Sequence, residues 1–94
     1  MVFAWDEVKD RINRRKHGIS FESAARIFED PHVISYVDRV VDREERWHAI
    51  GSAGGIALLL VVHTVEEEHD EEEIRIISAR KANPRERALY QAPH

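Results

Sequence analysis

The chain has 94 residues, of which 43% are hydrophobic and 34% are charged, and its formal net charge is -4. This balance is typical of one small folded domain, residues 1–94, rather than of a disordered or fibrous protein. It has no cysteine, which excludes a disulfide framework, thiolate zinc sites and thiol nucleophiles. The longest apolar run, residues 56–62, is far shorter than the ~20 residues of a membrane-spanning helix, and the N-terminus lacks a secretion signal, so we expect a cytoplasmic protein.

Two helices are predicted at the N-terminal end. Asp6 is a suitable N-cap for a helix that ends at Lys16-His17, where Gly18 is a typical C-terminal stop. Ser20 begins a second helix, which Asp30-Pro31 ends. The apolar residues of this second helix recur at helical spacing and predict one buried face: Phe21, Ala24, Ala25 and Phe28.

The sequence then changes to short segments rich in β-branched residues, separated by turn signals. Four strands are predicted, from His32 to Val41, Glu45 to Gly51, Ile56 to Val65 and Ile74 to Arg80. Turns over residues 42–44 and 52–55 are short, which favours an antiparallel sheet. The third strand is apolar on both faces and should lie centrally. A short strand from Phe3 to Trp5 is a further candidate element.

Two features frame the last predicted strand. The acidic stretch, residues 66–73, holds seven of the eighteen acidic side chains and is expected to be a solvated loop, because its charges repel one another. After the strand, Asn83-Pro84-Arg85-Glu86 combines an N-cap, a first-turn proline and a capping-box glutamate, which predicts a helix to about Gln91. The expected fold is α+β: two N-terminal helices, a four-stranded antiparallel sheet and a C-terminal helix.

The charge distribution suits a phosphate-containing partner better than the net charge suggests. Without the acidic stretch, 14 basic residues face 11 acidic ones. Eleven of the basic residues are arginines, whose guanidinium groups bind phosphate through two parallel hydrogen bonds. Solvation of the surface is the simpler explanation for most of them.

Several known catalytic motifs are absent. The sequence has no glycine-rich phosphate loop, no G-x-S-x-G elbow and no H-E-x-x-H pair. The histidines lack ligand spacing. His63 and His69 flank the acidic stretch and could bind a divalent cation loosely, but a hydrated run of acidic side chains is the simpler interpretation. No metal site and no cofactor are predicted.

What remains is a set of cationic and titratable residues at the ends of predicted elements: Lys16, His17, Arg46, His48, Arg80, Lys81, Arg85, Arg87 and Tyr90. Metal-free RNA cleavage needs a group that takes the 2′-hydroxyl proton, cations that neutralise the transition state and a group that protonates the leaving oxygen. Histidine, arginine and tyrosine can supply all three.

Each of these residues also has a structural interpretation. His17 can bond the last carbonyls of its helix, Arg46 can pair with Glu45, and Tyr90 can hold the last helix on the sheet. Arg80 is expected to face solvent, where a substitution costs under about 0.5 kcal/mol. From the residues alone, both interpretations stay open.

Several stretches resemble the BrnT-like toxins of bacterial type II toxin–antitoxin systems. The resemblance begins with Phe3-Ala4-Trp5-Asp6 and continues through Lys16-His17-Gly18-Ile19-Ser20-Phe21-Glu22 and Phe28-Glu29-Asp30-Pro31. It extends over Glu45-Arg46, the strand from Leu58 to Thr64 and the block Arg75-Ile76-Ile77-Ser78-Ala79-Arg80-Lys81-Ala82, and it ends with Arg85-Glu86-Arg87 and Tyr90. The blocks around His17 and Arg80 are the most specific.

The resemblance implies a RelE-like fold and an RNA endonuclease activity that blocks translation. It also implies a BrnA-like antitoxin with a ribbon-helix-helix domain, which neutralises the toxin and represses the shared operon, so that DNA is bound only through the antitoxin. Carried over to this sequence, the active-site candidates are Lys16, His17, Arg46, Arg80, Arg87 and Tyr90.

We therefore expect Arg80 and Arg46 to bind the scissile phosphate, His17 or Tyr90 to exchange protons, and Lys16, Arg85 and Arg87 to steer the RNA. A non-catalytic protein- or RNA-binding module that uses the same basic cleft is the main alternative. A DNA-binding regulator acting alone is a third, which no helix-turn-helix pattern supports.

Overall fold

A computed structural model describes residues 1–55 and 57–93 of the chain. Eight helices and strands follow in the order β1 (Val2–Ala4), α1 (Glu7–His17), α2 (Phe21–Ala25), β2 (Ile34–Val41), β3 (Glu44–Ala53), β4 (Ala57–Glu68), β5 (Glu71–Lys81) and α3 (Pro84–Gln91) among these residues, with a short 3-10 helix, Arg26–Glu29, after α2. The α+β class and the three predicted helical regions are confirmed.

The sheet has five strands in the order β1-β5-β4-β3-β2, so the prediction of four antiparallel strands is wrong. β1, close to the candidate strand at Phe3 to Trp5, pairs in parallel with β5, whereas every other pair is antiparallel. A parallel pair needs a long connection, and all the elements from α1 to β4 lie between β1 and β5 in the chain. The central position predicted for the third strand is confirmed for β4; Ile56, its predicted first residue, lies outside the described residues.

Local signals set the ends of the helices as predicted. The Asp6 carboxylate accepts hydrogen bonds from the amides of Val8 and Lys9, and Gly18 ends α1 with a φ of 71°. Asn83 and Glu86 form the predicted capping box at the start of α3. None of the helices in the described part of the chain is long and apolar enough to cross a membrane.

The acidic stretch is not a loop, and that prediction is wrong. It forms the end of the β4–β5 hairpin, in which Glu66 faces Glu73 and Glu68 faces Glu71. His69 and Asp70 make the turn with φ values of 53° and 65°. Two successive residues in the left-handed region match a two-residue hairpin turn, whose twist fits the flanking strands. Backbone pairing therefore continues in spite of the like charges.

Each sheet face has its own apolar cluster. α1, α2 and the 3-10 helix cover one face, where Phe21 and Ile27 are fully buried against β3, β4 and β5. α3 covers part of the other face through Tyr90, beside Ile50 and Leu60. We call this second face the α3 face. Beyond this cluster, the α3 face carries mainly polar and charged side chains.

Buried polar side chains join the N-terminal helices to the sheet. The amide of Asn13 donates to the Ala79 carbonyl at 2.8 Å and accepts from the Ala79 amide at 3.1 Å, where β1 no longer covers β5. Asp10 accepts the amide of Phe21 at 2.8 Å. Such contacts satisfy backbone groups that would otherwise be buried without partners.

Candidate active site

The polar part of the α3 face contains three of the cationic and titratable candidates: Arg46, His48 and Arg80. Paired residues of a sheet project to the same side, and Arg80 pairs with Leu60 beneath α3. His48 pairs with Tyr36 on one side and with Val62 on the other. Arg46 and Thr64 follow at two-residue spacing and pair with Arg39 and Arg75 respectively. This face therefore presents four arginines from three strands.

Arg80 is held in place by an acidic partner on α3. Its two terminal nitrogens donate to the two carboxylate oxygens of Glu86 at 2.7 and 2.8 Å, and one of them also donates to the Lys81 carbonyl at 3.2 Å. These bonds to the carboxylate raise the pKa of Arg80 and lower that of Glu86. Because its side chain is only 39% exposed, Arg80 does not face solvent freely, contrary to the expectation above.

A cavity of about 250 Å³ lies between β2, β3 and α3. Its lining comprises Tyr36, Asp38, His48, Asn83, Arg85, Glu86 and Leu89. The Tyr36 hydroxyl lies 3.3 Å from Nδ1 of His48, and Nε2 of His48 lies 3.5 Å from a carboxylate oxygen of Asp38. Burial, followed by the negative charges of Glu86 and Asp38, raises the pKa of Tyr36, so this phenol keeps its proton at neutral pH.

Tyr90 is engaged elsewhere, at the edge of α3. Its hydroxyl donates to Asp30 at 2.6 Å, and this bond is the main reason why the pKa of Tyr90 is raised. Asp30 also accepts the amides of Ser52 and His32. Burial raises the pKa of Asp30, but the three hydrogen bonds outweigh burial and hold it below its ordinary value. Tyr90 thus anchors α3 to the turn that precedes β2.

Arg46 lies farther along the same face. It is four residues from Ile50, which shares a cross-strand row with Leu60 and Arg80. At roughly 3.3 Å per residue, Arg46 therefore lies about 13 Å, measured along the strands, from the row that contains Arg80. In the described part of the chain its buried Nε has no hydrogen-bond partner, and the neighbouring Arg39 bonds to Asp38 at 2.7 Å. The spacing suits two phosphates of one strand better than a single shared phosphate.

The other candidates are exposed. Lys16 and His17 end α1, and among residues 1–55 and 57–93 no hydrogen bond or ion pair joins them to Arg46, Arg80 or Tyr90. On α3, Arg85 lines the cavity, whereas Arg87 donates to the Ala82 carbonyl at 3.0 Å. The structure thus places Arg85 in the cavity lining, ties Arg80 to the lining residue Glu86, and leaves Lys16 and His17 outside.

His63 and His69 do not come together. His63 is 1% exposed, packed against the rings of Phe28 and Trp47, whereas the His69 side chain is 91% exposed at the hairpin turn. Within the described ranges, no cluster of three or more histidine, aspartate or glutamate residues has the arrangement of a metal site.

Sequence reasoning missed Tyr36 and Asp38 and saw Glu86 only as a cap. Tyr36 and Asp38 alternate along one predicted strand, which was the available signal. Their meeting with His48 depends on the pairing of β2 with β3 and on a register shift between Val37 and Arg39, which a single sequence does not reveal. The assembled groups can bind an anion and transfer a proton.

Comparison with known proteins agrees with this architecture. Residues 5–86 match the family model described as "Ribonuclease toxin, BrnT, of type II toxin-antitoxin system". The crystal structure of the Brucella abortus ribonuclease toxin BrnT is similar, with a TM-score of 0.60 and 24% sequence identity over 88% of this chain and 99% of that chain. No curated protein matches the sequence.

Proposed function

The chain belongs to the BrnT family of ribonuclease toxins of type II toxin–antitoxin systems, and from this membership we propose that it is an RNA endonuclease that cuts without a metal ion and inhibits translation. A protein that cuts cellular messages acts in the cytoplasm, and the proposal includes that location. The cavity on the α3 face carries the proposal, because guanidinium, phenol and imidazole groups meet there.

In the proposed complex, Arg80 and Arg85 bind the scissile phosphate in the cavity, and Arg46 binds a neighbouring phosphate of the same strand. Guanidinium groups stabilise the negative charge that develops on the phosphorus oxygens in the transition state. Arg80 keeps its Nε and one terminal N–H outside the Glu86 pair, so it can bind a phosphate while its partner holds it in place. Lys16 and Arg87 steer RNA toward this face.

The reaction is transesterification within the RNA strand. The ribose 2′-oxygen attacks phosphorus, the bond from phosphorus to the 5′-oxygen breaks, and the first product ends in a 2′,3′-cyclic phosphate. From the sequence, His17 and Tyr90 are the candidates for proton transfer. The contact of Tyr90 with Asp30 and the exposed position of His17 favour a supporting role for both residues.

The test is incubation of the purified, antitoxin-free protein with single-stranded RNA in EDTA. We expect fragments that end in a cyclic phosphate or a 3′-phosphate. Cleavage that depends on added Mg²⁺ would contradict the metal-free part of the proposal, and intact RNA under both conditions would contradict the nuclease.

A partner completes the proposal. As a type II toxin, the protein is neutralised by an antitoxin, which we propose to be BrnA-like, with a ribbon-helix-helix DNA-binding domain. Co-expression with the product of the adjacent reading frame should yield a stable complex that binds operator DNA, whereas the toxin alone should not. An adjacent product that fails to bind the toxin would contradict this part of the proposal.

A non-catalytic binding module is the second candidate, favoured by the ion pair that already neutralises Arg80. Turnover separates the two functions. A binding module retards RNA on a native gel without shortening it, whereas a nuclease shortens it.

A further inference from the structure

We propose that Asp38, His48 and Tyr36 form the proton-transfer chain of the nuclease, with the Tyr36 hydroxyl taking the proton of the ribose 2′-oxygen. The inference rests on the proposed nuclease function and goes beyond it, because it names the groups that move the proton. None of the residues carried over from the family resemblance is part of this chain.

The geometry defines one consistent arrangement of hydrogens. Asp38 is held by Arg39 at 2.7 Å, and this hydrogen bond is the main reason why its pKa lies below the ordinary value. An ionised Asp38 3.5 Å from Nε2 of His48 favours the tautomer with the proton on Nε2. Nδ1 then carries a lone pair and accepts the Tyr36 hydroxyl at 3.3 Å. The order carboxylate, imidazole, hydroxyl is that of a relay in which the imidazole activates the hydroxyl.

The location is suited to the reaction. Tyr36 and His48 line the same cavity as Arg85 and Glu86, and Glu86 carries Arg80. A phosphate bound by Arg80 and Arg85 therefore places the adjoining ribose toward β2, where the phenol lies. His48 is partly buried, with 17% of its side chain exposed, and its Nδ1 is the atom next to the Tyr36 hydroxyl, at 3.3 Å.

The proposed step balances in atoms and electrons. The O2′–H bond breaks and its proton moves to the Tyr36 oxygen, while the phenolic proton moves to Nδ1 of His48. A lone pair of O2′ forms the P–O2′ bond, and the P–O5′ bonding pair leaves with O5′, which takes a proton from water. The resulting hydroxide removes the extra proton from the imidazolium, and the site returns to its starting state.

The other candidates are less suited to this role. The Tyr90 hydroxyl donates to Asp30, a carboxylate that already holds two backbone amides. His17 lies outside the cavity lining. Tyr36 therefore has the arrangement that a relay needs: an imidazole acceptor behind the hydroxyl and cations beside it.

The first test compares wild type with Tyr36→Phe, which removes only the hydroxyl. We expect cleavage in EDTA to fall at least about 100-fold, as for loss of general base catalysis, while RNA binding changes less than about twofold. Ser35→Ala is the matched control, because Ser35 lies on the other face of the same strand, and it should cut at the wild-type rate. Cleavage by Tyr36→Phe at the wild-type rate would overturn the relay and leave the nuclease in place.

The second test measures the pH profile of the wild type, with His48→Gln as the comparison, and guards against misfolding of Tyr36→Phe. The wild-type rate should rise with pH between about 5 and 8, because general base catalysis needs an unprotonated acceptor. The charged and titratable groups around His48 are Asp38 and Tyr36 from β2, His63 from β4, and Arg85 and Glu86 from α3; Arg80 lies beside Tyr36 and Glu86. His48→Gln should remove the rise. A rate independent of pH would overturn the relay, and a wild type that does not cut would overturn the proposed function and the relay together.

Discussion

Arg80 and Glu86 form a two-pronged ion pair that ties the end of β5 to the first turn of α3, with N–O distances of 2.7 and 2.8 Å. The same carboxylate accepts the Asn83 amide at 2.9 Å and so completes the capping box. A residue proposed to bind phosphate is thus also part of the structure that positions α3.

This double role predicts a combined effect for Arg80→Ala. Cleavage should be lost, and the free energy of unfolding should also fall, by about 1–3 kcal/mol, because Glu86 is left buried with an incomplete set of partners. Arg80→Lys should recover part of the stability but little of the activity, since an ammonium cannot bind in two-pronged fashion. Urea unfolding and RNA cleavage measured on both variants test this. An unchanged stability in Arg80→Ala would mean that the pair contributes little in solution.

Tyr90 and Asp30 predict a pH-dependent anchor for α3. The hydrogen bonds hold the pKa of Asp30 below its ordinary value of 3.8, so its contribution to stability is present above that value. It is lost as the pH falls through the lower folded-state pKa. Tyr90→Phe should cost about 1 kcal/mol at neutral pH, and less once Asp30 is protonated. Unfolding curves of wild type and variant at pH 7 and in strong acid give the comparison, and an equal cost at both would argue against the anchor.

His63 predicts a second pH dependence of stability, which arises from burial rather than from hydrogen bonds. Burial lowers the pKa of this imidazole from 6.5, so the folded protein holds it neutral while the unfolded chain is protonated near pH 6. Stability should therefore fall as the pH drops through 6.5 and level off below the folded-state pKa. His63→Phe keeps an aromatic ring beside Phe28 and Trp47 and should flatten this slope. Equal slopes in wild type and variant would contradict this prediction.

The opposed glutamates of the β4–β5 hairpin predict sensitivity to salt. Glu67 faces Glu72 directly across the strands, and like charges in that position are destabilising. Glu72→Lys should raise the unfolding free energy by about 0.2–1 kcal/mol. The gain should shrink above about 0.1 M salt, where the charges are screened. The single variant Glu67→Lys, which places the positive charge on the opposite strand of the same pair, is the positional control. A gain independent of salt would point to another cause.

The sequence predicted the structural features that depend on residues close together along the chain. The caps at Asp6, Ser20 and Asn83 each involve residues within three positions, and the structure has all three. Non-local features were missed. β1 has three residues, too few for a pattern, and its pairing partner is about 70 positions away. The acidic hairpin was predicted as a loop because repulsion was weighed without the backbone hydrogen bonds that oppose it.

The residues of the candidate site also fall into those that local sequence identifies and those that depend on non-local pairing. Arg80, Arg85 and His48 were identified by residue type and by their positions at the ends of elements. Tyr36 and Asp38 acquire a role only when β2 pairs with β3, and Arg80 acquires its partner only when α3 folds back on β5. Side-chain contacts of this kind depend on register, and register is set by the whole sheet.

The most direct measurement uses an RNA that carries one 2′-deoxynucleotide at a mapped cleavage position, with the purified protein in EDTA. The proposed mechanism requires the 2′-hydroxyl as nucleophile, so this position should stay intact while the same RNA is still bound and is still cut elsewhere. Cleavage at the deoxynucleotide, or a product with a 5′-phosphate, would contradict attack by the 2′-oxygen and with it the role assigned to the α3 face.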